Sequence, residues 1–273
     1  AAKDEIENLV RQSSSAEIQK FKNNKFTLIG IKLEASSPLI GRTAKSVELA
    51  NPFVPHKLVV INRKEKNFIP HNNSRYKKDD IAYFMSKTRD LDKVQQIAGK
   101  PAIDIKNIMI LGAGKIGRML AKSLQKDYNI RLIEKNKDKA ERVSIHYPGI
   151  LILNGSGTDI EFLESENISE VDCFIAATEN EQTNILSTML AKDLGVKQAI
   201  VHILSTSYLP VVRRIGVDAI VSKNISAVNE VIKNMHSDKT VSISHFEDID
   251  VEVLELTITN NSKIIKHKYT IDQ

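Results

Sequence analysis

The sequence predicts an α/β protein: a doubly wound parallel sheet flanked by a smaller α+β domain. Three observations carry this expectation. Residues 107–235 alternate short apolar runs with helical patterns, as stacked βαβ units do. A G-x-G-x-x-G run, Gly112, Gly114 and Gly117, falls between the first of these strands and the first helix. Outside that region two segments, beginning at Phe26 and Val251, match apolar for apolar at a separation of 225 residues.

The elements follow in chain order. Residues 1–24 read as a terminal helix belonging to a preceding unit, and 25–98 as a small α+β domain. Its strands are expected at 26–34, 57–63 and 80–86 and its helices at 43–49 and 90–98, with a turn at Ile69-Pro70. Gly99 and Pro101 mark 99–106 as a linker. The strands NIMIL (107–111), IRLIE (130–134), ILIL (150–153), CFIAA (173–177), AIVHI (199–203) and AIV (219–221) then alternate with helices. The helices are expected at 115–127, 136–146, up to about 165, 181–193, 206–214 and 224–235. Strands apolar at nearly every position are buried on both faces, so helices must cover both sides of the sheet. This domain is read as 107–245, and 246–273 as the truncated start of a second small domain.

The repeat is more than alternation. Phe26, Leu28, Ile29, Ile31 and Leu33 stand opposite Val251, Val253, Leu254, Leu256 and Ile258. Both copies change phase at the same step, Leu28-Ile29 and Val253-Leu254, which puts consecutive apolar side chains on opposite faces or marks a bulge. A period of 225 residues equals one α/β domain plus one small domain, so the chain reads as part of a longer tandem array.

Composition narrows the function classes. At 41% hydrophobic and 27% charged the chain has the material for sizeable cores, and no apolar run approaches the roughly 18 residues a membrane span needs. The single cysteine, Cys173, excludes a disulfide framework and reads as a small buried hydrophobe within a strand. The net charge of +5 is uneven: residues 1–100 hold 19 basic and 11 acidic side chains, 101–235 hold 16 of each, and 236–273 hold 4 and 7. Without tryptophan, and with lysines interspersed among acids, this is a solvated basic surface rather than a nucleic-acid footprint.

The chemistry sits in the glycine loop. Gly112 permits the tight turn, Gly114 lets the backbone approach a pyrophosphate, and Gly117 lets the helix pack against the sheet. The helix N-terminus then offers free N–H groups to the phosphates. Glu134, twenty residues beyond Gly114 at the end of the second strand, is placed to accept hydrogen bonds from an adenosine ribose. Its charge disfavours a 2′-phosphate, so NAD-type or adenosine nucleotides are expected ahead of NADP, a preference weakened by Lys135 next door. Lys115 lies within the loop, either over the phosphates or simply solvated. Gly155, Ser156, Thr158 and Asp159 follow the third strand, where Thr158 or Asp159 caps a helix. Ala177 and Thr178 end the fourth strand at the crevice where ligands of such sheets bind; Glu179, Glu181 and Asn184 either face that crevice or begin a helix.

Signals for catalysis are poor. Tyr83 and Lys87 have a Tyr-x-x-x-Lys spacing but lie on a predicted strand in the small domain. The seven histidines show no metal-ligand spacing, and no metal is expected. Three classes remain open: a nucleotide-responsive regulator, an NAD-dependent oxidoreductase, and a structural module with a vestigial site.

Several longer segments resemble one family. GAGKIGRMLA (112–121), NGSGTD (154–159), AATENEQTNILSTMLAKDLG (176–195), RRIGVDAIVS (213–222), SPLIGRT (37–43), Ile69-Pro70 and KKDD (77–80) are similar to the TrkA-type regulatory proteins of bacterial potassium uptake. Those carry tandem RCK (or KTN) domains, each a Rossmann-type TrkA-N lobe followed by a TrkA-C lobe. The resemblance implies a non-enzymatic cytosolic protein that forms an oligomeric ring beneath a membrane-embedded potassium-translocating subunit, with no membrane insertion of its own. It implies gating by a nucleotide, NAD or NADH first, ATP or ADP otherwise. Carried onto this chain, the nucleotide residues are Gly112, Ala113, Gly114, Lys115, Ile116, Gly117, Glu134, Lys135, Gly155, Ser156, Thr158, Ala177 and Thr178. Two positions depart from the family pattern: Ser156 stands where Asp is usual, and His202 where Arg is usual.

Overall fold

The computed structural model describes residues 2–13, 17–21, 25–64, 66–222, 224, 240–246 and 249–256. They fall into two compact units, 1–16 with 102–227 and 17–101 with 228–273. Most of the helix expected at 224–235, and the segment beyond 256, lie outside the described residues.

The N-terminal segment is not one helix. Helix α1 (Ala2–Arg11) is followed by strand β1 (Glu17–Phe21), and the two belong to different units. β1 opens an antiparallel sheet with β2 (Phe26–Lys32), β3 (His56–Arg63), β4 (Lys66–Phe68) and β5 (Ile81–Lys87), in the order β1-β2-β5-β3-β4. β4 stands where the sequence showed only the approach to the turn at Ile69-Pro70. Helices α2 (Ala44–Ala50) and α3 (Leu91–Ile97) belong to the same unit. α2 starts where Thr43 and Ser46 cap each other's backbone N–H groups.

The phase change in β2 is two-sided burial, not a bulge, since its pairing with β1 and β5 runs unbroken. Leu28 packs with Phe21, Val60 and Tyr83 on one face, while Ile29 and Ile31 join Leu58, Ile61 and Phe84 on the other. Tyr83 is fully buried and Lys87 exposed, so the Tyr-x-x-x-Lys pair forms no site.

The second unit holds a six-stranded, all-parallel sheet. It comprises β6 (Asn107–Leu111), β7 (Asn129–Glu134), β8 (Leu151–Asn154), β9 (Cys173–Ala176), β10 (Gln198–Ile203) and β11 (Ala219–Ser222), in the order β11-β10-β9-β6-β7-β8. The connecting helices are α4 (Lys115–Leu124), α5 (Lys137–His146), α6 (Ile160–Ser165), α7 (Glu181–Asp193) and α8 (Leu209–Ile215). The chain leaves β6 towards β7 on one side and returns to β9 on the other, so a crevice opens beyond the carboxyl ends of β6 and β9. Cys173 is buried in β9, which pushes its thiol pKa up and makes it inert.

Helix α1 belongs to this unit. Ile6, Leu9 and Val10 are buried, and α1 packs against α4 and β11. Gln198 Nε2 donates to the Leu9 carbonyl at 3.2 Å, Arg11 pairs with Asp127 at 2.8 Å, and Ser13 Oγ donates to the Ile103 carbonyl at 2.8 Å.

Strands β12 (Thr240–Phe246) and β13 (Ile249–Leu256) form an antiparallel pair, so 240–246 joins a hairpin rather than the parallel-sheet domain. Over four consecutive pairs this hairpin repeats the first, before its register shifts between His245 and Phe246. Glu17 pairs with Gly30, Ile18 with Ile29, Gln19 with Leu28 and Lys20 with Thr27. Ser242 pairs with Glu255, Ile243 with Leu254, Ser244 with Val253 and His245 with Glu252, the same four pairs displaced by 225. The internal repeat is thus present in strand register as well as in hydrophobic pattern.

Candidate functional site: a glycine loop at the sheet's switch point

The loop between β6 and α4 is built on two contacts that only glycine allows. Gly112 has φ +102°, and a Cβ there would meet the Thr178 backbone nitrogen at 3.0 Å. A Cβ on Gly117 would lie 1.9 Å from the Gly112 carbonyl oxygen. The helix therefore enters hard against its own preceding turn. Gly114 differs: a Cβ there meets nothing within 4 Å, and it occupies the N-cap of α4 with no side chain capping the helix. No side chain caps the first N–H groups of α4, which leaves the helix start available to an anion. Lys115 is exposed in the first turn and Ile116 half-buried.

Glu134 closes the other side of the loop. One carboxylate oxygen accepts the Ala113 N–H at 3.2 Å and the Lys139 ammonium at 2.7 Å; the other accepts the Asn136 N–H at 3.0 Å. Burial would push this carboxyl up, but Lys139 and the two N–H groups outweigh it and hold the pKa below the usual glutamate range. The sequence reading missed Lys139, five positions on, in the first turn of α5. Lys135 is exposed, and its carbonyl and that of Glu134 take the Asn154 amide at 3.2 and 2.9 Å, tying β8 to β7.

The lowered carboxyl makes a pH prediction. A depressed folded pKa contributes stability that is present above the unfolded pKa and lost as pH falls through the folded one. The stability difference between the wild type and Glu134→Gln is expected to be largest near neutral pH and to shrink in acid. Urea unfolding of both at pH 7, 5 and 3.5 checks it; a difference independent of pH overturns it.

The remaining expected residues follow β8 and β9. Gly155 lies under the Phe162 ring, with a notional Cβ at 2.3 Å. Ser156 and Thr158 bond each other through their hydroxyls at 3.0 Å, and Asp159, not Thr158, caps α6 through the Phe162 N–H at 3.2 Å. Ala177 is buried, and its N–H donates to Leu111 at 2.9 Å. The Thr178 hydroxyl lies 2.6 Å from Asn184 Oδ1 and 3.0 Å from the Asn180 carbonyl, so its polar atom serves the loop itself.

Asn184 resolves one open alternative. It is fully buried, accepts from the Thr178 N–H at 2.9 Å, and donates to the carbonyls of Thr178 at 3.0 Å and His202 at 2.9 Å. It joins the loop after β9 to the end of β10, and its amide bonds the protein's own groups. Glu181 accepts the N–H groups of Leu204 and Ser205 at 3.1 and 2.9 Å, bracing the loop after β10, whereas Glu179 is exposed. His202 is buried at the end of β10.

This geometry coincides with a known domain. Residues 108–223 match the family model of the TrkA-N domain. This segment is similar to the TrkA-N domain. Over nearly its whole length the chain is similar to curated potassium-uptake proteins. It is 27% identical over 263 residues to a Trk system potassium uptake protein trkA homolog 1 of Methanosarcina mazei, covering 96% of this chain and 64% of the relative. It is 28% identical over 250 residues to the TrkA protein of Vibrio alginolyticus, covering 92% and 55%. The chain thus spans roughly three-fifths of the curated relatives it matches. Among solved structures, the GsuK RCK domain superposes with a TM-score of 0.58 at 15% identity, covering 85% of this chain and 50% of that one. The GsuK channel bound to NAD gives 0.57 at 16%, covering 86% and 42%. At these identities the structural likeness establishes the shared fold. The parallel-sheet α/β architecture is as the strand pattern predicted, and the match over 108–223 agrees with the resemblance of the longer segments. Among the described residues no helix is long and apolar enough to cross a membrane.

Proposed function

We propose that this chain is the nucleotide-sensing part of a non-enzymatic regulator of potassium uptake, acting at the inner face of the cell membrane on a membrane-embedded translocating subunit. The observation that carries the reading is the open, uncapped loop at Gly114, set over the crevice of a domain similar to TrkA-N, in a chain whose curated relatives are named for potassium uptake. Gly112, Ala113, Gly114, Lys115, Ile116 and Gly117 hold the phosphates, Glu134 and Lys135 the ribose, and Gly155, Ser156, Thr158, Ala177 and Thr178 the rest of an adenosine nucleotide. NAD or NADH is the first choice, since the named neighbour holds NAD, with ATP or ADP the alternative. The working form is a homo-oligomer, whose sites add. A ligand shifts a conformational equilibrium only by its differential affinity for the two states, so about 100-fold preference supplies about 2.7 kcal/mol per site.

The test is thermal unfolding with NAD, NADH, ATP and ADP at matched concentrations, beside Gly114→Asp. The Gly114 backbone is compatible with any residue, and aspartate at an N-cap helps a helix by a few tenths of a kcal/mol. The variant is therefore expected to fold at least as well as the wild type while placing a carboxylate where the phosphates bind. A nucleotide at 100 times its Kd raises wild-type stability by about 2.7 kcal/mol, and Gly114→Asp abolishes that gain. If no adenosine nucleotide moves the wild-type midpoint, the reading fails.

A further inference from the structure

Beside the crevice lies a second feature that the glycine loop does not explain. A cavity of about 360 Å³ opens between α4 and α5, lined by Arg118, Lys139, Arg142, Val143, His146 and Tyr147. Its walls bring three permanent cations and a histidine together, and none of its six lining residues is acidic. It adjoins the ribose corner through two of those residues. The Lys139 ammonium lies 2.7 Å from the Glu134 carboxylate, and Arg118 Nη1 donates at 2.9 Å to the carbonyl of Ala113, whose N–H binds the same carboxylate.

Sequence reasoning treats Glu134 as a bare charge that repels a 2′-phosphate. The structure removes that premise, because Lys139 neutralises the carboxylate at contact distance and Lys135 stands exposed beside it. With the ribose held at Glu134, a group on its 2′-oxygen would lie beside the Lys139 ammonium, which is itself part of the cavity wall. Guanidinium groups fit such a dianionic monoester well, since they donate in a fixed planar fork. Arg142 is exposed within the cavity wall and positioned for that role. Arg118 is already anchored to the loop, so it holds its remaining donors in a fixed direction.

We propose that the cavity between α4 and α5 is a phosphate subsite, and that this domain binds dinucleotides carrying a 2′-phosphate on the adenosine ribose at least as well as unphosphorylated ones. Arg142 and Lys139 set that specificity. The inference rests on the nucleotide-sensing reading and extends its ligand class to NADPH and NADP.

The experiment is paired titration of the full chain with NADH and NADPH by calorimetry, with adenosine 2′,5′-bisphosphate against AMP as minimal probes and inorganic phosphate as a control. The wild type is expected to bind NADPH no more weakly than NADH, and the bisphosphate more tightly than AMP. Arg142→Glu is expected to weaken NADPH at least tenfold more than NADH. Lys139→Ala, which restores the bare carboxylate, acts in the same direction. NADH binding with NADPH tenfold or more weaker overturns the subsite and leaves the sensor reading standing. A parallel loss of both ligands in Arg142→Glu, or phosphate binding without any preference for the 2′-phosphorylated probes, overturns it as well. Failure of every nucleotide to bind overturns both readings together.

Discussion

Gly117→Ala is expected to destabilise the α/β unit by about 3 kcal/mol, although alanine is intrinsically the better helix former by about 1 kcal/mol. The added methyl would lie 1.9 Å from the Gly112 carbonyl oxygen, a backbone atom that cannot rotate away. Relief requires α4 to back off the sheet, which strains the buried packing of Leu120, Ala121 and Leu124. For a unit of this size the unfolding midpoint should fall by roughly 10 °C. Gly114→Ala is the matched control: its methyl meets nothing within 4 Å, so it should cost only about 0.5–1 kcal/mol, the preference for glycine over alanine at an N-cap. Differential scanning calorimetry of the two variants reads the contrast directly. Equal midpoints would mean that the loop is looser than its geometry states, and that the motif's third glycine has no steric role here.

That contrast also shows where the sequence was readable. The parallel strands were visible because burial on both faces leaves unbroken apolar runs such as NIMIL and CFIA, and their ends came within a residue or two. The glycine loop was visible because its spacing is set by short-range sterics. β1 was not: EIQKF brings only Ile18 and Phe21 as apolar residues, and it becomes a strand only because β2 offers its edge. β4 has three residues and escapes any periodicity. The register of the two hairpins was half visible, since the sequence showed matching β2 and β13 but not the strands they pair with.

The candidate site divides the same way. Residues of the loop and of the strand ends were legible because topology fixes them. The cationic cavity was not, because Arg118 and Lys139 or Arg142 meet only once α4 and α5 pack side by side, and lysines on a charged helix read as solvated. The pairing of Glu134 with Lys139 neutralises the negative charge expected at the ribose corner, a correction no spacing rule supplies. Ser156, one of the two departures from the family pattern, bonds Thr158 and holds the shape of its own turn.

Asn184→Ala is expected to cost about 2–4 kcal/mol and to weaken nucleotide binding with it. The side chain is fully buried and meets four partners: the Thr178 N–H at 2.9 Å, the Thr178 hydroxyl at 2.6 Å, the Thr178 carbonyl at 3.0 Å and the His202 carbonyl at 2.9 Å. Truncation leaves buried backbone groups without these bonds, and each such group costs roughly 1–3 kcal/mol where water does not replace the partner. Gly112 packs on the Thr178 backbone, so slack there passes to the glycine loop. Asn184→Asp separates this role from mere filling of space. Its shape is nearly unchanged, yet it exchanges the amide donor for an oxygen facing two carbonyls, where a carboxylate is repelled and finds no proton to share. A bracing role predicts that Asp is as damaging as Ala at pH 7 and recovers in part as acid protonates the new carboxyl. A space-filling role predicts that Asp is tolerated at every pH. Urea unfolding of both variants at pH 7 and pH 5, with nucleotide titration at each, decides between them, because only the brace ties the end of β10 to the loop that lines the crevice.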